Sequence, residues 1–320
     1  MQASRISSRL YLALLWLCLG APAHGEFFGA IAGGLQSGME QAPEGVPRGL
    51  VHVAPDLPAV LWVDLANGAM HVLEQSRPGW FSEQEVIPIS IGKAGYDKLR
   101  EGDLKTPVGV YQVTRFLSDA ALDDKYGHGA FPLNYPNAYD RLRARTGSGI
   151  WLHGLPKGVE SRPRLDSDGC VVVGNETLDR LHPLIKARET LVVLAPGLHW
   201  DTKPRVEDEQ LLATIKQWQK DWQNIDNDAY LSHYDESFTD TKRDLAAWKR
   251  YKTRVNNSKR KIKVTLQKMT VVAYPGEDQL AATRFYQIYE SDNYKWRGWK
   301  QLLWQLGSDG EWRIVYEGNG

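Results

Sequence analysis

The hydrophobic pattern of this chain changes character near Pro204, and that change limits what it can fold into. Residues 51–198 are short apolar runs broken by Gly and Pro, a strand pattern. Beyond Pro204, Leu211, Leu212, Ile215, Trp218, Trp222 and Ile225 recur at helical spacing. A strand period cannot serve as a helix period, so the two stretches build different units. At 320 residues the chain also exceeds what one core usually organises. In the first unit, Val60–Leu65 and Ala69–Leu73 flank Asn67-Gly68, which predicts a hairpin because both turn residues tolerate positive φ. Further strands are predicted at Val86–Ile91, Val108–Thr114, Gly149–His153, Gly169–Val173 and Thr190–Leu194. A short helix should start with Asn175 as N-cap and end or kink at Pro183. The second unit should hold helices over 207–226 and 245–255, then strands around Ile262–Leu266, Ala281–Phe285, Trp299–Leu306 and Trp312–Tyr316. Gly307–Gly310 makes its last hairpin turn. Helices followed by an antiparallel sheet form an α+β pattern.

The N-terminus reads as an export signal. Arg5 and Arg9 precede the apolar run Leu10–Leu19, which ends at Ala21-Pro22-Ala23, an A-x-A cleavage site. The run is shorter than the ~20 residues that span a bilayer. Residues 1–23 are therefore a cleaved signal peptide, and membrane contact is expected only through it. Residues 24–50, rich in Gly, Ala, Pro and Gln, read as a linker or loosely docked arm. Domains are expected at 51–198 and 204–320. Of two cysteines, Cys18 leaves with the signal, and Cys170 remains alone. One thiol excludes a disulfide framework and a four-thiolate metal site. Lys+Arg and Asp+Glu balance at 39 each, which makes nucleic acid an unfavoured partner.

An unpaired thiol in an exported chain is either buried filler or a reactive group. The neighbourhood favours the second. His153 and Cys170 each end an apolar β run, inside the segment of densest special residues, 149–174. An imidazole can take the thiol proton and leave a nucleophilic thiolate. Gly154 and Gly169 flank the pair and would let a substrate approach the backbone. The N–H groups around Gly169-Cys170 would serve a developing oxyanion.

Residues 92–174 resemble the YkuD catalytic domain of L,D-transpeptidases. The likeness runs through Gly102–Tyr111, through Tyr135-Pro136-Asn137 with Asp140, and through Gly147–Gly154. It ends at Ser167-Asp168-Gly169-Cys170. The resemblance implies that Cys170 attacks the carbonyl of the L-centre residue, usually diaminopimelate, in a peptidoglycan stem peptide. D-Alanine leaves and a thioester remains. It implies His153 as general base and later acid, oriented by the backbone carbonyl of Gly154. Ser167, Asp168, Gly169 and Trp151 are implied at the substrate or oxyanion side, with Ser167 and Gly169 shaping the cysteine turn. Two positions depart from the common pattern: Asp168 stands where many members have His, and Val172 where many have Arg. The second unit resembles a nuclear-transport-factor-2-like (SnoaL-like) cone, and the pairing is similar to that of cell-shape L,D-carboxypeptidases. The expected fold is thus mixed: a mainly-β YkuD-like domain, then an α+β cone.

The leading reading is a periplasmic, cell-wall-associated transpeptidase that resolves the thioester with an amine. The alternative is an L,D-carboxypeptidase, or a related amidase, that uses water. A third is a non-catalytic wall-binding protein. Stem peptides and glycan strands are the expected partners. No HExxH, CxxC or phosphate-cradling loop is present, so no metal or cofactor is implied. His128 reads as loop structure and the pair His233/Asp235 as solvated. The basic run Lys242–Lys263 reads as a solvated face, and most tryptophans beyond Pro204 as core. Trp296 and Trp299, near Lys295 and Arg297, are the candidates for an exposed patch.

Overall fold

The computed structural model describes residues 44–57, 59–277 and 279–320. The signal reading of residues 1–23 lies outside them. Among the described residues no helix is long and apolar enough to cross a membrane.

The first domain is built on a seven-stranded sheet. Its order is Trp200–Asp201, Glu44–Pro47, Trp80–Pro88, Ala69–Arg77, Val60–Asp64, Leu191–Ala195 and Gly109–Gln112. A four-stranded sheet, Val171–Val173, Trp151–Gly154, Gly129–Pro132 and Leu117–Ser118, covers one face. Side chains alternate along the central strand. Val192 and Leu194 join Leu152, Phe131 and Val171 in the core between the two sheets. Leu191 and Val193 point the other way and pack with Val272, Tyr274, Leu280 and Leu303 of the second domain. Both faces are dry, which is why Leu191–Ala195 is one unbroken apolar run. Burying each such aliphatic side chain contributes about 1.5–3 kcal/mol, so the seam between the domains is core, not a docking surface.

The second domain is a six-stranded sheet. Its order is Tyr234–Thr239, Trp312–Asn319, Lys295–Leu306, Leu280–Ser291, Ile262–Ala273 and Leu50–Val53. The helix Val206–Gln223 lays Leu211, Ile215, Trp218 and Trp222 against Phe285, Trp304 and Ile314. Glu207, Asp208 and Glu209 occupy its first turn, where the helix dipole favours negative charge.

Several expectations change. The end of the segment read as a linker or loosely docked arm forms two strands, Glu44–Pro47 and Leu50–Val53, and the second belongs to the C-terminal sheet. The helix expected over 207–226 stops at Gln223. Ile225 takes φ of 61°, and Asp226 caps a separate helix, Asn227–Ser232, by accepting from the Ala229 N–H at 3.0 Å. Tyr234–Thr239 is an unanticipated strand, parallel to Trp312–Asn319. In the first hairpin only Gly68 uses positive φ, and Asn67 is instead tied to the Asp64 carboxylate at 2.8 and 2.9 Å. Gly174, not Asn175, is the N-cap of the helix Asn175–Leu181. Asn175 turns its amide to the His128 N–H and the Leu155 carbonyl, both at 3.0 Å.

Candidate active site

Strands Trp151–Gly154 and Val171–Val173 run parallel, with Leu152 opposite Val171 and His153 opposite Val172. Leu152 and Val171 point into the core. Alternation then turns His153, and Cys170 just before the neighbouring strand, to the opposite face, two positions apart. Both line a cleft of about 390 Å³ with Lys125, Tyr126, Gly149 and Arg162.

The turn before Cys170 is set by backbone chemistry. Gly169 has φ of 126°, and a Cβ there would lie 2.7 Å from the Lys105 carbonyl. Ser167 Oγ donates to the Cys170 carbonyl at 2.6 Å and accepts from the Gly169 N–H at 3.1 Å. Gly169 is therefore spent as an oxyanion donor. The Cys170 N–H makes no hydrogen bond among the described residues and is the donor left over. The expectation of several N–H groups at Gly169-Cys170 reduces to this one. Asp168 lies on the rim in an ion pair with Lys93 at 2.9 Å. Val172 is buried, its backbone bridged to Ser90 at 2.9 Å in both directions.

His153 Nδ1 lies 2.7 Å from the Gly154 carbonyl. A carbonyl only accepts, so Nδ1 carries the proton and Nε2 keeps its lone pair. Burial drives the imidazole pKa down to about 4, against the Gly154 bond, which raises it; Arg162 and Lys125 lower it further. Burial likewise pushes the Cys170 thiol up, and its Sγ donates to the Gly149 carbonyl at 3.4 Å. Both groups are neutral at pH 7. The arrangement suits general-base activation of a thiol more than a standing thiolate–imidazolium pair.

Trp151 reaches the site through its backbone, which hydrogen-bonds the Cys170 thiol. Its ring packs on Tyr126 at 4.8 Å, and Tyr126 meets the His153 ring edge-on at 5.1 Å. His128, two residues on, faces Asp179 at 2.8 Å instead. Sequence reasoning passed over Tyr126, Gly149 and Arg162. The Gly147-Ser148-Gly149 run was the available signal for Gly149, which takes φ of 75°.

Family models match each of the two domains. Residues 58–194 match the L,D-transpeptidase catalytic domain, YkuD. The chain carries an L,D-transpeptidase domain. Residues 210–318 match the Cds6 C-terminal NTF2-like domain. YafK of Escherichia coli (strain K12) is 31% identical over 88 residues, 28% of this chain and 31% of its own length. The chain therefore spans about a third of that curated relative. Two solved structures follow the chain across both domains. Bd1075 of Bdellovibrio bacteriovorus is 29% identical with a TM-score of 0.72, over 85% of this chain and 97% of that one. The helical cell shape determining protein Pgp2 of Campylobacter jejuni is 27% identical with a TM-score of 0.68, over 84% and 95%.

Beyond the L,D-transpeptidase domain, the cone holds a pocket of about 330 Å³ lined by Trp222, Tyr251, Lys252, Trp296, Lys300 and Glu317. Lys252 interrupts the solvated reading of the basic run, because it is buried. His233 pairs with buried Asp221 at 2.9 Å, not with Asp235, whose carboxylate caps Ser237. Trp299 is half-buried beneath the Arg284 guanidinium at 3.6 Å, so only part of the expected patch faces solvent.

Proposed function

We propose that the protein is a peptidoglycan-modifying cysteine acyltransferase working outside the cytoplasm on tetrapeptide stems. One observation carries this reading: the Gly154 carbonyl holds the Nδ1 proton and leaves the Nε2 lone pair free in the open cleft that Cys170 also lines. As sulfur attacks the stem carbonyl, Nε2 takes the thiol proton. The Cys170 N–H stabilises the oxyanion. The imidazolium then returns its proton to the departing D-alanine nitrogen, and a thioester remains. Ser167 and Gly169 act by fixing the turn. An amine of a neighbouring stem or a protein lysine resolves the thioester.

A second reading, resolution by water, draws on the two-domain pairing, which resembles that of cell-shape L,D-carboxypeptidases; Pgp2, similar along both domains, is a helical cell shape determining protein. The two differ in product alone. Incubation with purified tetrapeptide muropeptides should release D-alanine, with crosslinked dimer for transfer or free tripeptide for hydrolysis. No D-alanine from any tetrapeptide-rich wall would remove both.

A further inference from the structure

The catalytic scheme leaves one charged group of the cleft without a task. Arg162 sits in the loop between Gly154 and Leu165, most of its side chain covered. It is held in place twice by Asp166. Nε donates to the carboxylate at 2.7 Å, and Nη2 donates to the backbone carbonyl. Nη1 has no hydrogen bond among the described residues. A guanidinium fixed this way is a planar fork with a free edge, the geometry that recognises a carboxylate. The cleft's other cations are placed differently. Lys93 is paired with Asp168, while Lys125 stands over the Tyr126 ring at 5.1 Å, 3.5 Å from Asp123.

A cation here carries a cost for the proposed chemistry. Arg162 disfavours the charged imidazole, adding to the larger effect of burial. Each turnover must nevertheless place a proton on that imidazole. A neutral amide offers nothing to offset the repulsion. A carboxylate beside the scissile bond would: it would pair with the guanidinium and remove its field from His153 at the moment the proton arrives.

We infer that Arg162, assisted by Lys125, forms a carboxylate subsite that selects acyl donors bearing a carboxylate next to the amide that breaks. This rests on the acyl-transfer reading. A tetrapeptide stem offers two such groups, the carboxylate of the leaving D-residue and the one on the diaminopimelate side chain.

The first test needs no natural substrate. Cys170 of the full chain is alkylated with iodoacetate, an anion, and with iodoacetamide, its neutral counterpart, and the mass added at Cys170 is followed in time. Arg162→Gln should lower the iodoacetate-to-iodoacetamide rate ratio about tenfold, and Arg162→Lys should restore most of it. An unchanged ratio in a folded Arg162→Gln protein overturns the subsite. Where that variant does not fold, Lys125→Gln, a change at an exposed side chain, should lower the ratio about threefold, and no change there has the same meaning. The second test compares D-alanine or alaninamide release from the tetrapeptide, its C-terminal amide, and an analogue with lysine for diaminopimelate. The analogue lacking the contacted carboxylate should react at least about tenfold more slowly, and Arg162→Gln should flatten the difference. Equal rates on all three overturn the subsite and leave acyl transfer standing. No release from any overturns acyl transfer, and the alkylation ratio still decides the anion site.

Discussion

The cleft of the first domain and the pocket of the second both bury titratable groups, and they treat charge in opposite ways. In the cleft, His153 and Cys170 have no counter-ion, and burial drives each toward its neutral form. In the cone, Lys252 lies 3.9 Å from Glu317, with Lys300 at 3.5 Å from the same carboxylate and the Tyr234 hydroxyl donating to it at 2.8 Å. The Lys252 ammonium also lies over the Trp222 and Trp248 rings, at 4.3 and 4.7 Å. Burial works against the Glu317 charge, yet Lys252 and Lys300 outweigh it and hold the carboxyl below its ordinary range. Burial takes Lys252 down to about 8, with Glu317 opposing. Unmatched burial makes groups that must exchange a proton to do anything. Matched burial makes groups that stay put.

The largest expected effect tests the first half of that contrast. Cys170→Ala should lower D-alanine release by at least about 10⁴-fold with an unchanged unfolding midpoint. Activity near wild type would break the comparison, because the cleft would then hold a structural thiol. Glu317→Gln tests the second half. It leaves Lys252 buried without its anion and should destabilise the protein by about 3–5 kcal/mol in denaturant unfolding, with Cys170 alkylation unaffected in the folded protein. A neutral outcome would make the cone charges as unmatched as those of the cleft.

The smallest effect sharpens the pH side. A buried neutral His153 with a folded pKa of about 4, against 6.5 when unfolded, favours proton uptake by the unfolded chain between those values. Its stabilising contribution is present above pH 6.5 and is lost as pH falls through 4. Wild type should therefore lose up to about 3 kcal/mol more than His153→Gln between pH 6.5 and 4, measured by unfolding at each pH. Parallel curves would show that His153 carries no such penalty.

The sequence showed the proposed reacting pair and hid much of what surrounds it. Cys170 and His153 stood out because each borders an apolar run within a Gly-rich stretch, so local pattern and chemistry agree. Arg162 gave no signal. The role proposed for it depends on a loop folding back over the cleft, a nonlocal event. Lys252 was readable in principle: with Trp248 and Asn256 it lies at i, i+4 and i+8 on the buried side of Leu245–Asn257, yet a lysine in a basic run suggests solvent. Tyr234–Thr239 was missed because only Tyr234 and Phe238 are buried, a spacing more helical than strand-like. Leu50–Val53 escaped because its partner, Ile262–Ala273, lies more than two hundred residues away.

That last pairing has a bearing on how the chain is made. Synthesis runs from the N-terminus, so the edge strand of the C-terminal sheet emerges first and its partner near the end. Throughout that interval Leu50 and Val53 lack Val272 and Leu303, the late members of the cluster they share. The seven-stranded sheet meets the same wait, since Val272, Tyr274, Leu280 and Leu303 of the late strands cover part of one of its faces. A ribosome pausing between the domains would leave that part bare, and a gene cut there would strand it permanently. The two halves can be told apart by their chemistry, but they reach maturity as one piece.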